Sequence, residues 1–402
     1  MAATPRVLVS WHESPSYIPA PQFSSDQLVV GPRRSDEPSD IYPVIAPRGR
    51  YDLHALIRSR GIDPAFDLVV VSVDSLLRNQ PANLAAFGCP LVFLVGDTHH
   101  LKAPLRTAVA YARSEPFDLV VVCHNRHHMH WFVAGGARQV VWLPGLFARH
   151  MPGPVPEWRR PAIAFVGQSG PLHPRRTRML EQLQGAGLPV VAGRATRAQS
   201  AVLYGRCQVS FNASLNGDLN MRVLEVLSAG GCLLTDRLSP VSGMRHILEE
   251  GREYLAYGDG DELLAQARRL LGDPAHAAAV AQAGHRRYMA ELRQDHQIAR
   301  LLAWAAGAEI SPLHRAVDDP RVLREPGAPK LTGRMRVYEN VQETHRRQEN
   351  PRVRIQADLP EDSVLDLADL PRLTLCIAGH RPDAPELAAR ARRIGATVEI
   401  GD

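Results

Sequence analysis

Glu225 is a carboxylate set among Val223, Leu224, Val226 and Leu227, and a charge in such company needs a partner. Those apolar residues, with Leu219, recur at helical spacing, and Gly230-Gly231 supplies the stop. Ahead of the helix, Val209–Phe211 reads as a short buried strand, and Asn212–Asp218 has the Asn, Ser, Gly and Asp of a loop. Beyond it, Cys232–Thr235 is strand-like again. A helix opening after a strand, with Asn216, Gly217 and Asp218 around its start, points unpaired N–H groups and a positive dipole end into a crevice. Phosphate is the ligand such a start takes. By itself, Glu225 reads as a solvated side chain or an ion pair with Arg222, because structural pairs outnumber catalytic ones.

A second group of reactive side chains follows the apolar runs of the first 150 residues. Ser10-Trp11-His12-Glu13 follows Arg6–Val9; Gly96-Asp97-Thr98-His99-His100 follows Leu91–Val95; His124-Asn125-Arg126-His127-His128-Met129-His130 follows Asp118–Val122. Asp97, as a carboxylate at a strand end, could take a proton or bind a hydroxyl, with His12, His99 and His100 as alternatives for that role. Six histidines between 99 and 130 raise a metal site. No H-E-x-x-H or H-x-E…C-x-x-C spacing accompanies them, and no acidic ligand lies between His124 and His130, so no metal is expected.

These residues need a frame. Asp67–Val71 and Gln139–Leu143 join the three runs above, and continuous apolar runs mark strands buried on both faces of a parallel sheet. Tyr51–Arg60 is a helical pattern stopped by Gly61. Residues 1–150 thus read as one α/β domain, whose ligands collect at the carboxyl ends of its strands. Met151 to Pro161 holds four prolines and reads as a linker. A second α/β domain, 162–310, opens with Ala162–Gly167 and then Gln168–Arg176, where a glycine turn at Gly167 with Arg175 and Arg176 beside it makes a second phosphate cradle. Asp261–Leu271 is an amphipathic helix, and His285 to Ala306 reads as one long helical pattern. Residues 311–402 read as a linker and a small α/β appendage, with strands at 335–338, 353–356, 373–378 and 397–400 and a helix at 384–394. So small a unit is marginal alone and is expected to dock on the body or on a partner, a second copy of the chain included.

Composition narrows the classes. With 45% hydrophobic and 22% charged residues and no apolar run near 18 residues, the chain reads as soluble, without a membrane span. Met1–Arg6 leads straight into the first apolar run, leaving no room for a signal-peptide core, and five scattered cysteines point to reduced thiols and the cytoplasm. The net charge of +5 rests on arginine, which binds phosphate bidentately, while interspersed charges argue against a nucleic-acid face.

The stretch LNGDLNMRVLEVLSAGGCLLTDR, followed by EEGREYLAYGDGDELLAQARRLLGDPAHAAAVAQAGHRRYMAE and HQIARLL, resembles the carboxyl half of group 1 glycosyltransferases, in particular the spore-maturation CgeB-like branch. The resemblance runs from about Ala162 to Leu302 and more loosely over residues 1–150. It implies a GT-B fold, two facing Rossmann-like domains, with a nucleotide-sugar donor in the cleft and no essential metal. Carried over, Glu225 holds the ribose hydroxyls, and Asn220, Met221 and Arg222 lie beside the diphosphate, with Gly193 and Arg194 near the base or phosphates. The first-domain strand ends, Asp97 foremost, then face acceptor and donor sugar, and the last helices cross back to the first domain. Gly217, with Asp218 next to it, stands where many members carry a sugar-contacting Glu. The chain's two lysines are Lys102 and Lys330, so any phosphate clamp must be built from arginine. The resemblance implies transfer of a sugar to an acceptor the sequence does not name. A non-catalytic scaffold and a nucleotide-sugar epimerase share this fold.

Overall fold

The computed structural model describes residues 4–12, 19–33, 42–74, 76–96, 98, 104–148, 151, 159–170, 173–214, 218–238, 242–315, 352–355, 374–378, 384–393 and 397–401. The chain divides into two units: Met1–Phe147 with Asp295–Leu323, and Ala148–Gln294 with Arg324–Asp402.

In the first unit the apolar runs become strands with both faces covered. They are β1 (Arg6–Ser10), β2 (Asp26–Pro32), β3 (Val44–Ala46), β5 (Leu68–Ser72), β7 (Leu91–Val95), β8 (Leu119–Val122) and β9 (Val140–Trp142). Val69, Val70, Val92, Leu94 and Val121 are fully buried, as continuous runs in a parallel sheet require. The order is β3-β2-β1-β5-β7-β8-β9, with every described pairing parallel. A separate two-stranded ladder joins β4 (Gly49–Asp52) to β6 (Asn79–Ala82). Its first strand takes the start of the expected 51–60 helix, so α1 spans only Leu53–Ser59, capped by Asp52, whose carboxylate accepts from Ala55 N at 2.7 Å. The remaining helices are α2 (Pro104–Ser114) and α3 (Met129–Ala134). At Gly31, on β2, a Cβ would lie 2.7 Å from the Trp11 carbonyl oxygen and 2.5 Å from the Tyr42 ring, so only glycine lets β2 and the end of β1 approach this closely.

The second unit holds β10 (Arg160–Val166), α4 (Pro174–Gly185), β11 (Val190–Gly193), α5 (Arg197–Arg206), β12 (Cys207–Phe211), α6 (Met221–Ser228), β13 (Leu233–Asp236), α7 (Met244–Ile247), β14 (Leu255–Tyr257), α8 (Gly260–Gly272) and α9 (Pro274–Arg287). Its parallel sheet runs β11-β10-β12-β13-β14 around a core that includes Ile163, Phe165, Leu183, Val209, Phe211, Leu234 and Leu263. The long helical pattern expected from His285 to Ala306 is broken. Tyr288–Leu292 forms a π-helical turn and Arg293 is extended, after which α10 (Gln294–Ala305) begins. The second unit accordingly gives way at Gln294, where the sequence reading drew its boundary at 310, and Asp295–Leu323 groups with the first unit. There His314 Nδ1 lies 2.8 Å from the Trp142 carbonyl oxygen, its ring edge-on to Trp304, and Arg315 bridges Val141.

Farther along, β15 (Arg352–Ile355), β16 (Thr374–Ala378) and β17 (Thr397–Gly401) form a parallel sheet of three, with α11 (Ala384–Arg393) between the last two in sequence. The strand expected at 335–338 lies outside the described residues.

Both large sheets are Rossmann-like. In each, the first strand has neighbours on both sides, reached by connections that leave in opposite directions, and that reversal opens a crevice at the strand carboxyl ends. The reversal falls between β1 and β5 in the first unit and between β10 and β12 in the second.

Candidate functional site

In the second unit two arginines span the crevice. Arg222, near the start of α6, donates Nε to the Val166 carbonyl at 2.7 Å and Nη1 to Asn212 Oδ1 at 2.7 Å, joining the end of β10 to the end of β12. Its guanidinium lies 4.7 Å from the centroid of the buried Phe165 ring, a cation–π contact. Gly167 makes the approach sterically feasible, because a Cβ there would sit 2.2 Å from Arg222 Nη2, and its φ of +153° is one that side chains seldom adopt. Arg176 covers the same ring at 5.8 Å, donating to the carbonyls of Ala213 and Gln168.

Helix α6 starts later than its sequence suggests. Asn220 is the N-cap and Met221 the first helical residue, so Asn216, Gly217 and Asp218 precede the helix; Asp218 is buried, and Gly217 lies outside the described residues. The Asn220 side chain makes no capping bond: its Nδ2 donates to Asn212 Oδ1 at 3.2 Å, and among the described residues its Oδ1 accepts none. The first-turn amides are therefore not closed by a side-chain cap.

Glu225 lies three residues beyond Arg222 and so shares its helix face. The expected ordinary pairing of the two does not form. Arg222 is turned to the strand ends, and among the described residues the half-buried Glu225 carboxylate accepts no hydrogen bond and enters no ion pair. Burial pushes its carboxyl up from the ordinary value, and the charges of Arg222 and Arg197 oppose that rise only in part. Tyr204, on α5, completes the surroundings, its phenol pushed up to about 12 by burial and, to a lesser degree, by Glu225, while Arg222 beside it pulls the other way.

The second cradle arginine is committed elsewhere. Arg175 donates Nη1 to Asp236 Oδ2 at 2.7 Å in an ion pair with both partners buried. Asp236 also accepts from the Ser214 amide at 2.9 Å, the Ser214 hydroxyl and the Thr235 hydroxyl at 3.1 Å. Burial alone would raise the Asp236 carboxyl, but Arg175 and the Ser214 donors outweigh it and hold the group below the usual carboxylate range. Gly193 and Arg194 are exposed at the end of β11, where the Gly193 carbonyl accepts from Gly167 N at 3.0 Å. The structure therefore brings Gly167, Gly193, Asn220 and Arg222 to the carboxyl ends of β10, β11 and β12, with Met221 and Glu225 on the helix of Arg222 and Arg175 turned to Asp236.

Residues 175–303 match the model of a family described as glycosyl transferase-like. No curated protein matches the chain. Among solved structures, HepE from Anabaena in complex with UDP-glucose is 14% identical, covering 74% of this chain and 99% of its own, with a TM-score of 0.47. Sucrose-phosphate synthase from Thermosynechococcus elongatus is 13% identical over 75% of this chain and 98% of its own, with a TM-score of 0.49. A glycosyltransferase from Rickettsia africae is 9% identical over 75% and 98%, with a TM-score of 0.48. Among the described residues no helix is long and apolar enough to cross a membrane.

The second unit holds its network on residues that the motifs did not single out: Asn212, Thr235 and Asp236. One signal was present, since Asn212 and Asp236 are polar residues at the ends of buried strands, the rule that singled out Asp97. In the first unit the crevice between β1 and β5 is also bridged: His12 Nδ1 lies 3.0 Å from Ser72 Oγ. Tyr42 donates its hydroxyl to the His12 carbonyl at 3.1 Å, and the Trp11 ring lies 4.9 Å from the imidazole. Asp97 and His99 lie outside the described residues. His128 Nδ1 is 2.7 Å from Thr98 Oγ1, buried within the first unit.

Proposed function

We propose that the protein transfers a sugar from a nucleotide-sugar donor to an acceptor, and that the donor nucleotide binds at the carboxyl ends of β10 to β13. The observation that carries this reading is Glu225: a half-buried carboxylate with no hydrogen bond among the described residues, on the helix face whose arginine has turned to the strand ends. Such a group needs donors, and the paired hydroxyls of a ribose supply two. One turn earlier, the first-turn amides of α6 and the guanidinium of Arg222 offer positive charge to the diphosphate.

In the transfer, an acceptor hydroxyl oxygen bonds to the anomeric carbon as the bond from that carbon to the diphosphate oxygen breaks; the electron pair leaves with the phosphate, and the hydroxyl proton passes to that departing phosphate. Stabilising that departing charge is the main catalytic demand, and Arg222 with the helix amides meets it without calling on a metal. Gly193 and Arg194, exposed beside Gly167, lie at the open edge where a base would reach. Placement in the spore-maturation CgeB-like branch is supported by the stretch from Leu215 to Arg237 and the segments that follow it. A cytoplasmic setting rests on the free cysteines, of which Cys123, Cys207 and Cys232 are buried.

Thermal melts with UDP, GDP, ADP and dTDP test the site directly, because a diphosphate at about 100 times its Kd stabilises by about 2.7 kcal/mol. One of the four is expected to raise Tm, and calorimetry on Glu225→Ala is expected to show at least a tenfold loss of its affinity. An unchanged Kd in that variant removes Glu225 from the site and this reading with it.

A further inference from the structure

The bonds around Asn212 form a chain with one allowed polarity. Asp236 is ionised and only accepts, so Thr235, at 3.1 Å from Oδ1, must donate its single hydroxyl proton there. The Thr235 oxygen then has only lone pairs left to offer, and it takes the Asn212 Nδ2 proton at 2.9 Å. That fixes the amide of Asn212: nitrogen toward Thr235, oxygen toward Asn220 and Arg222, at 3.2 and 2.7 Å. Asn212, Thr235 and Asp236 are all within 2% of complete burial, so water cannot substitute for a missing member. The backbone of Asn212 is pinned as well, its amide on the Leu234 carbonyl at 2.8 Å and its carbonyl on the Tyr257 hydroxyl at 2.8 Å. A reversed Asn212 would present N–H to the Arg222 guanidinium and repel it from the crevice.

We propose that Thr235 and Asp236 are positioning residues for donor binding: by orienting the Asn212 amide they hold Arg222 across the β10–β12 crevice, in place for the diphosphate. Neither touches the ligand; each acts through Arg222. This rests on the nucleotide site proposed above, and the test separates the two.

Thr235→Val keeps the shape and removes both the donor and the acceptor, whereas Thr235→Ser keeps the hydroxyl. Each full-length variant is titrated with UDP, GDP, ADP and dTDP by calorimetry and with the matching nucleosides by ligand-observed NMR, which reads millimolar affinities. The expected result is a roughly tenfold weaker diphosphate in Thr235→Val, equivalent to about 1.4 kcal/mol. The nucleoside is unchanged there, and Thr235→Ser binds both as the wild type does. Equal losses of diphosphate and nucleoside, an undiminished diphosphate affinity, or a Thr235→Ser that fails to restore binding would each overturn the assignment. Should Thr235→Val not fold, Thr235→Ala makes the same comparison with a smaller side chain. If no diphosphate binds the wild type, the underlying site falls and the positioning role falls with it; if one binds and Thr235→Val does not discriminate, only the positioning role falls.

Discussion

Each large sheet reverses its strand order once, and at each reversal side chains tie the two strand ends together, but the ties differ in kind. In the first unit His12 reaches Ser72 across the ends of β1 and β5, a bond between groups that can both be neutral. Behind it, Ser10, Tyr51 and Asn79 close a buried triangle with bonds of 2.8 to 3.1 Å. In the second unit the ties are the Arg222 and Arg176 cations, backed by an ionised Asp236 that answers to Arg175. One topology thus yields two chemistries: a crevice edged by an imidazole and hydroxyls, and one edged by a cation with a carboxylate nearby. Among the described residues at the two reversals, guanidinium groups cross the second.

The comparison breaks first at its most charged member. Asp236→Asn leaves the Arg175 guanidinium buried without its counter-ion, a loss of about 3–5 kcal/mol that urea unfolding would measure. Its pH dependence follows from the depressed native carboxyl: the stabilisation is present above the unfolded-state value and is lost as pH falls through the lower native one. The gap between wild type and Asp236→Asn is therefore widest near neutrality and closes in strong acid.

Glu225 carries the opposite sign. Its native carboxyl is raised, so the empty protein holds a proton that the unfolded chain has released, and stability falls as pH rises from the ordinary carboxylate range through the native value. Glu225→Gln removes that slope, and the empty variant is expected to melt higher at neutral pH by on the order of 1–3 °C while binding nucleotide less tightly. A variant that melts lower and binds as well would make Glu225 a structural residue.

The smallest effect belongs to the first unit. Ser72→Ala removes one hydrogen bond, worth about 1 kcal/mol, and is expected to leave the nucleotide Kd of the second unit unchanged. A shifted Kd would mean that the two ties are not independent.

What the sequence disclosed follows from range. Strands such as β5 and β7 were legible because continuous apolar runs need no partner to be recognised. β2, with the sequence DQLVVGP, and the short β3, β4 and β6 were missed because their residues are polar or only partly buried and ladder geometry decides them. The appendage was read to within about a residue at 352–355, 374–378, 384–393 and 397–401, its short strands being flanked by Pro, Gly and charged residues. At the site, Glu225 and Arg222 were legible as a pattern on one helix. The bonds that run from Asn212 through Thr235 to Asp236 were not, because strand pairing joins residues more than twenty positions apart. Arg175 and Arg176 are adjacent and chemically identical in sequence. Only helix direction sends one to a buried carboxylate and the other to the Phe165 ring.

The passage of the chain at Gln294 back into the first unit bears on the order of assembly. Ile298, Leu301 and Trp304 of α10 are buried, and His314 seals the end of β9 through the Trp142 carbonyl. A ribosome therefore delivers the first unit's seven strands long before it delivers their last cover. The domain begun earliest is finished late, and a chain cut near residue 290 would leave the first unit without the helix that closes it.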